Sequence, residues 1–337
     1  MVRRYIMFFS LVVSLPFLIL FSVSIGSVYI PFGDVISVLI GFGEVENGVW
    51  VKIIRDIRLT RTLVAIFGGA GLAVAGIVLQ VFFRNPLADP YILGISSGAS
   101  LFAALSIFLG LTFGFASSPF DPYLLFFASF LGAVFVSLLI VSLSSIVGRI
   151  TTILIIGLMI GYITSALTSV LQYLADIERM RIFIFWILGS FSGAKWPLIT
   201  PMATAVLAGC IFSFMLAKPL NALLLSDSYA ESMGIRVRLV RVAAIGVTAL
   251  LTSAVTTVTG PIGFLGLAVP YLARLILQTA DNRLLIPFSA FLGSIIAVLS
   301  DIVARTALSP IELPISAVTA IFGVPIIVAL LLRGRGL

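Results

Sequence analysis

The chain has 337 residues, 61% hydrophobic and 10% charged, with a mean hydropathy of +1.26. A soluble domain is about 45–50% apolar and about 25% charged, so no water-soluble core can hide this much apolar surface, and disordered, collagen-like and disulfide-stapled classes are excluded as well. Twenty Lys and Arg against 13 Asp and Glu give +7, which in a membrane chain marks the cytoplasmic side and is no sign of nucleic acid. The single Cys210 cannot form an internal disulfide, and the lack of His removes the commonest general base and metal ligand.

Charged residues divide the sequence into nine long uncharged runs: 5–33, 62–83, 90–120, 122–148, 150–175, 196–217, 242–273, 284–300 and 313–332. The first follows Arg3 and Arg4 but exceeds 20 residues and lacks a clear small-residue cleavage site, so it reads as a retained helix and not a signal peptide. Before the second run stands Lys52-Ile-Ile-Arg55-Asp-Ile-Arg58-Leu-Thr-Arg61, a basic connection open to two readings, headgroup contact or the docking of an acidic protein surface. Between the second and third runs, Asn85-Pro86-Leu-Ala-Asp89-Pro90 forbids a continuous helix and predicts a rigid turn in which Asn85 and Asp89 bond nearby backbone. Small residues recur at four-residue spacing in Gly94/Gly98, Gly157/Gly161 and Gly189/Gly193, which predicts close helix packing in lipid or the wall of a substrate path.

The segment from Lys218 to Arg236 contains Ser228-Tyr229-Ala230-Glu231-Ser-Met233-Gly234. Ser228 and Glu231 read as a capping box and Gly234 as a helix stop. A one-turn helix there would lie on the cytoplasmic face, against a partner or against lipid. The run 242–273 is too long for one span, and Gly260-Pro261 interrupts it. Splitting it there gives ten helices with both termini cytoplasmic, and twelve of the twenty basic residues then fall inside. Asp301 and Arg305, one turn apart on the ninth helix, are placed to pair near its outer end. No linker or soluble domain interrupts the chain, so residues 1–337 read as a single transmembrane domain.

No phosphate loop of the form G-x-x-x-x-G-K-[ST] is present, and no Ser/His or paired-carboxylate site is legible within the helices, so the chain does not read as an enzyme. The spans are nearly free of ionisable groups, which argues against ion coupling and points to energy from another polypeptide.

Taken together, Arg58-Leu-Thr-Arg61, Asn85-Pro-Leu-Ala-Asp-Pro90 with Leu93-Gly-Ile-Ser-Ser-Gly98, Tyr229-Ala-Glu-Ser-Met-Gly234, Gly260-Pro-Ile-Gly263-Phe-Leu-Gly266-Leu-Ala-Val-Pro270 with Arg274, Asp301-Ile-Val-Ala-Arg305, and Glu312-Leu-Pro-Ile with Gly323-Val-Pro325 resemble the permease subunit of type II ABC importers, the iron-siderophore, haem and vitamin B12 (FecCD-type) family. The resemblance implies an all-α fold of ten transmembrane helices, in the inner membrane of a prokaryote. It implies a homodimer with the path at the subunit interface, two ATP-binding subunits inside that hold ATP and Mg, and an extracytoplasmic substrate-binding protein outside. This chain would itself hold no cofactor and no metal. By motif, Arg58, Arg61 and Arg305 would dock the binding protein, and Ser228 to Gly234 would be the coupling helix. Ile150, Thr151 and Thr152 would be the cytoplasmic gate, or else a plain loop with an N-cap Thr. Tyr271 stands where the family often has His after the proline, and Thr60 where Pro is usual. The implied cargo is a metal chelate, a ferric siderophore first, with haem, cobalamin or an oxyanion behind it. A ten-helix ion-coupled secondary transporter and a structural membrane scaffold are the alternatives.

Overall fold

In hydrocarbon a backbone must satisfy its own polar groups, and the uncharged runs do so as helices. The computed structural model describes residues 2–26, 28–41, 48–109, 121–147, 150–193 and 195–332. Arg149, Arg333 and Arg335, counted above as cytoplasmic, lie outside the described residues. Among the described residues the fold is all-α, without a named strand.

The helices are α1 (Val2–Ser24), α2 (Phe32–Ile40), α3 (Gly48–Lys52), α4 (Thr60–Phe82), α5 (Ile95–Leu109), α6 (Pro122–Ile146), α7 (Ile150–Leu174) and α8 (Ile177–Ile187). They continue as α9 (Trp196–Met215), α10 (Ala217–Leu225), α11 (Asp227–Ser232), α12 (Val237–Thr259), α13 (Leu265–Leu277), α14 (Asn282–Thr306) and α15 (Ile315–Leu332). Each uncharged run holds a helix, and 242–273 holds parts of two, divided at Gly260-Pro261. Among the described residues, seven helices are long and apolar enough to cross a membrane, and three shorter apolar ones begin at Ile95, Leu265 and Ile315. Ten crossings are reached only when all three short helices are counted.

The segment expected as a basic connection before the second span is helical. A π-helical stretch, Ile53–Leu59, joins α3 to α4, so one helix runs from Gly48 to Phe82. Lys52, Arg55, Arg58 and Arg61 recur every three residues, a helical spacing; of the isoleucines between them, Ile54 is fully buried and Ile57 is exposed.

Helix α4 is the axis of the bundle, buried along most of its length among α9, α12, α13 and α14. Its glycines make this possible. A Cβ at Gly69 would lie 2.2 Å from the Gly293 carbonyl oxygen of α14, and one at Gly76 would lie 1.8 Å from that of Gly266 in α13. Contact of backbone on backbone replaces the hydrophobic drive that is missing between helices in lipid.

Candidate functional site

At one end of the bundle, Arg58 and Arg305 cap a helix that neither belongs to. Helix α1 ends with orphan carbonyls and has no basic residue in its last turn. Arg58 donates to the carbonyls of Val23 and Ser24, each at 3.0 Å, and to that of Val28. Arg305 donates to the carbonyls of Ser22 at 2.7 Å and Ile25 at 2.8 Å. Cations suit this negative helix terminus. Arg61 bridges Asp301 and Glu312, both at 2.7 Å, and the Arg305 Nε lies 3.4 Å from the other Asp301 oxygen. Arg58 and Arg61 are only 4% and 5% exposed, and Asp301 is fully buried. Within a single chain these guanidiniums are therefore taken up inside the fold and do not stand on the surface as the sequence reading expected. Of this cluster, Glu312 is the most open to the surface.

At the opposite end, Lys218 to Arg236 forms two helices where one turn was expected. The cap of α11 is Ser226 and not Ser228: the Ser226 hydroxyl accepts the Tyr229 N–H at 3.0 Å, while Ser228 is exposed in the first turn. Gly234 ends the segment with φ 78, and the Ile235 N–H reaches back to the Ala230 carbonyl at 3.0 Å. Ala230 is buried against the bundle, while Glu231 and the apolar Leu225, Tyr229 and Met233 face outward. Three contacts fix this segment to the spans. Arg84, at the end of α4, donates to the Leu223 carbonyl at 2.9 Å and pairs with Asp227 at 2.6 Å. Arg241 of α12 pairs with the other Asp227 oxygen. Asn221 donates to Asp281 at 2.6 Å and accepts from the Asn282 backbone N–H at 2.9 Å, tying α10 to the start of α14. Hydrogen bonds from Arg283 and Asn221 hold the Asp281 carboxyl below the usual carboxylate range. The sequence reading missed these locks; only the Asx–Pro punctuation around Arg84 and the Asp281-Asn282 helix start hinted at them.

Between the two ends, two short helices start beside each other. Asn85 accepts the Leu87 N–H and Asp89 the Tyr91 N–H, each at 2.9 Å, which forms the expected turn, with Pro86 half-buried in it. Pro90 then lands on α13, where a Cβ at Gly266 would lie 2.6 Å from the proline ring. The Tyr91 hydroxyl takes the Ile262 N–H in the link between α12 and α13. Gly94, with φ 71, sits against the backbone of Gly157 and Gly161, and Gly98 against that of Gly132. The Gly94/Gly98 and Gly157/Gly161 pairs therefore serve backbone packing, whereas of the third pair Gly189 meets the Pro261 carbonyl and Gly193 has open space around it. Gly263 gives its carbonyl to Leu265 and to Thr319 of α15.

Helix α13, 13 residues long, extends only about 20 Å at ~1.5 Å per residue, short of the ~30 Å hydrocarbon core, and the described part of α5 covers about 22 Å. Pro270 and Tyr271 are buried within α13, and the Arg274 guanidinium donates to the Gln80 side-chain oxygen of α4. Beside the start of α5 opens a cavity of about 300 Å³ with an uncharged, hydroxyl-rich wall. Ser96, Ser97 and Ser100 come from α5; Ser165, Thr168, Ser169 and Gln172 come from α7. A wall of hydroxyls and amides can hydrogen-bond an oxygen-rich solute without stripping water from an ion. Of the expected gate residues, Ile150, Thr151 and Thr152 form the first turn of α7 and not a loop; Thr151 is exposed and Thr152 half-buried, and the Ile150 side chain lies outside the description.

The FecCD transport family model matches residues 14–333. The hemin transport system permease protein HmuU of Yersinia pestis is 36% identical over 83% of this chain and 83% of its own length. The vitamin B12 import system permease protein BtuC of Vibrio vulnificus is 34% identical over 84% of each. A solved structure of an ABC transporter of metal-chelate type, in an inward-facing conformation, superposes with a TM-score of 0.84 at 30% identity, covering 97% of this chain and 98% of its own.

Proposed function

This chain belongs to the FecCD transport family of multi-pass ABC importer permeases, and we propose that it forms the homodimeric membrane path of an ATP-driven importer of a metal chelate. A ferric siderophore is the cargo assigned first, ahead of haem, cobalamin and oxyanions. Haemin and vitamin B12 are named for two relatives, and both are bulky metal-bearing solutes. The cavity of about 300 Å³ between α5 and α7 is too small to enclose such a solute, but its uncharged wall can offer hydrogen bonds to one edge of it.

In this reading the Asp227 end faces the cytoplasm, where α11 seats on a separate ATPase subunit that holds ATP and Mg. The observation that carries the reading is the outward apolar surface of Leu225, Tyr229 and Met233, on a segment that two arginines and an asparagine lock to the spans. A surface that must transmit force needs both an apolar contact and a stiff anchor. The Arg61 end then receives the extracytoplasmic binding protein. Arg58, Arg61 and Arg305 outnumber Asp301 and Glu312, which leaves a net positive field for an acidic partner. Pairwise contact with the partner's acids would require these side chains to leave their internal oxygens.

The test is the transporter purified with its ATPase and binding protein. Replacing Leu225, Tyr229 and Met233 together by Ser should abolish binding-protein-stimulated ATP hydrolysis and leave the chain folded. Unchanged stimulation would refute the assignment of α11.

A further inference from the structure

Away from the proposed path, a groove of about 680 Å³ opens at the Asp227 end between α1, α9 and the first turns of α14. Its walls are apolar, with Phe8 from α1, Phe214 from α9, and Leu284 and Phe288 from α14. Its mouth carries Arg4 and Arg283. Helix α1 is loosely held along this side: about a tenth of its apolar window is buried, and Phe8 meets the bundle edge-on at Phe291, ring centres 5.5 Å apart.

The charges at the mouth do not cancel. Asp281 also lines it, but its carboxylate is already answered by Arg283 at 3.0 Å and by Asn221 at 2.6 Å. Arg4 gives one arm to the Gln278 carbonyl at 2.8 Å and forms no ion pair with Asp281 or with any other described acid. One unit of positive charge is left over a slot of aromatic and aliphatic side chains. The slot lies between membrane-spanning helices and the charge at their ends, which matches the two halves of a phospholipid.

We propose that this groove seats one anionic phospholipid per chain, its phosphodiester at Arg4 and Arg283 and an acyl chain along Phe8, Phe214 and Phe288. The site is separate from the transport path. Through Asp281 and Asn221 it touches the anchor of α10. The probes are phosphatidylglycerol and phosphatidylcholine of identical acyl chains, added to the delipidated transporter in neutral detergent and read by native mass spectrometry. Phosphatidylglycerol should be retained at one molecule per chain about fivefold more strongly than phosphatidylcholine, the scale expected for roughly one basic contact to an anionic headgroup.

R4Q leaves the Arg283–Asp281 pair intact and should lose most of that preference; R4Q/R283Q should lose all of it. Excess inorganic phosphate should not displace the lipid, since the slot holds the chain. Equal retention of the two lipids by the native protein, or an undiminished preference in R4Q, would overturn the proposal. So would an intermolecular disulfide formed by F8C in membranes, which would mean that a second copy of the chain covers the groove.

Discussion

Asp301 is where the energetics of the Arg61 end concentrate, because one fully buried carboxylate faces two guanidiniums that are themselves nearly buried. Removing one member of such a set leaves uncompensated charge in a poor solvent, at a cost of about 3–5 kcal/mol. D301A should therefore lower the thermal stability of the detergent-solubilised chain by roughly that amount, read as an early loss of monodisperse protein. R61E should be worse, since it puts a third carboxylate beside Asp301 and Glu312. A docking test by charge reversal must therefore include a folding control.

Asp281 sets a pH dependence of known sign. Its native pKa lies below the unfolded value of about 3.9, so its stabilisation is full above that value and is lost as pH falls through the lower native one. The gap in melting temperature between the native chain and D281N should shrink as pH falls from about 5 to about 3. A constant gap would deny the carboxylate this role. At this scale the sequence showed which arginines stood out, by their three-residue spacing and their place on the outer side. It did not show that Arg58 turns inward to carbonyls of α1 more than 30 residues away, or that Arg61 turns to Asp301 and Glu312, because such partners exist only once distant helices meet.

Among the elements, α11 shows what was legible and what was not. The turn, its exposed apolar residues and its glycine stop were readable from Tyr229-Ala-Glu-Ser-Met-Gly234. The cap was misplaced by two residues, since Ser226 and Ser228 both satisfy local cap chemistry and only the backbone of Ser226, at φ −170 and ψ 164, decides between them. D227N should weaken the ion pairs of Asp227 with Arg84 and Arg241, uncoupling ATP hydrolysis from the binding protein, while the Arg84 bond to the Leu223 carbonyl keeps the segment attached.

Helix packing gives a sharper contrast. G76A should cost at least about 3 kcal/mol, since the new methyl meets a backbone carbonyl that cannot move alone. G193A, with nothing within 4 Å, should stay within about 0.5 kcal/mol. Thermal unfolding of the two variants side by side checks this. The break in 242–273 was legible because Gly260-Pro261 has no helical alternative. The hydroxyl cavity was not, although Ser97/Ser100 and Ser165/Thr168/Ser169/Gln172 follow helical spacing, because one helix cannot show which other will face it.

For the whole molecule, the scarcity of charge noted in the sequence acquires a place. Ion pairs gather at the two ends, around Arg61 and around Asp227, and the spans between them meet through glycine backbones and hydroxyls. The turn from Arg84 to Gly94 links these regions. One of its ends holds Asp227, and the other rests on Gly266, Ile262 and Gly157 beside the cavity. On the function proposed above, this turn is the connection through which a push on α11 would reach the starts of α5 and α13.

The most direct measurement is uptake of a ferric siderophore, haem or cobalamin into proteoliposomes holding this chain, its ATPase and its loaded binding protein, with no ion gradient. ATP on the Asp227 side should drive accumulation of one of these chelates, and omission of either partner should stop it. Accumulation by this chain alone under a proton or sodium gradient, without ATP, would contradict the account.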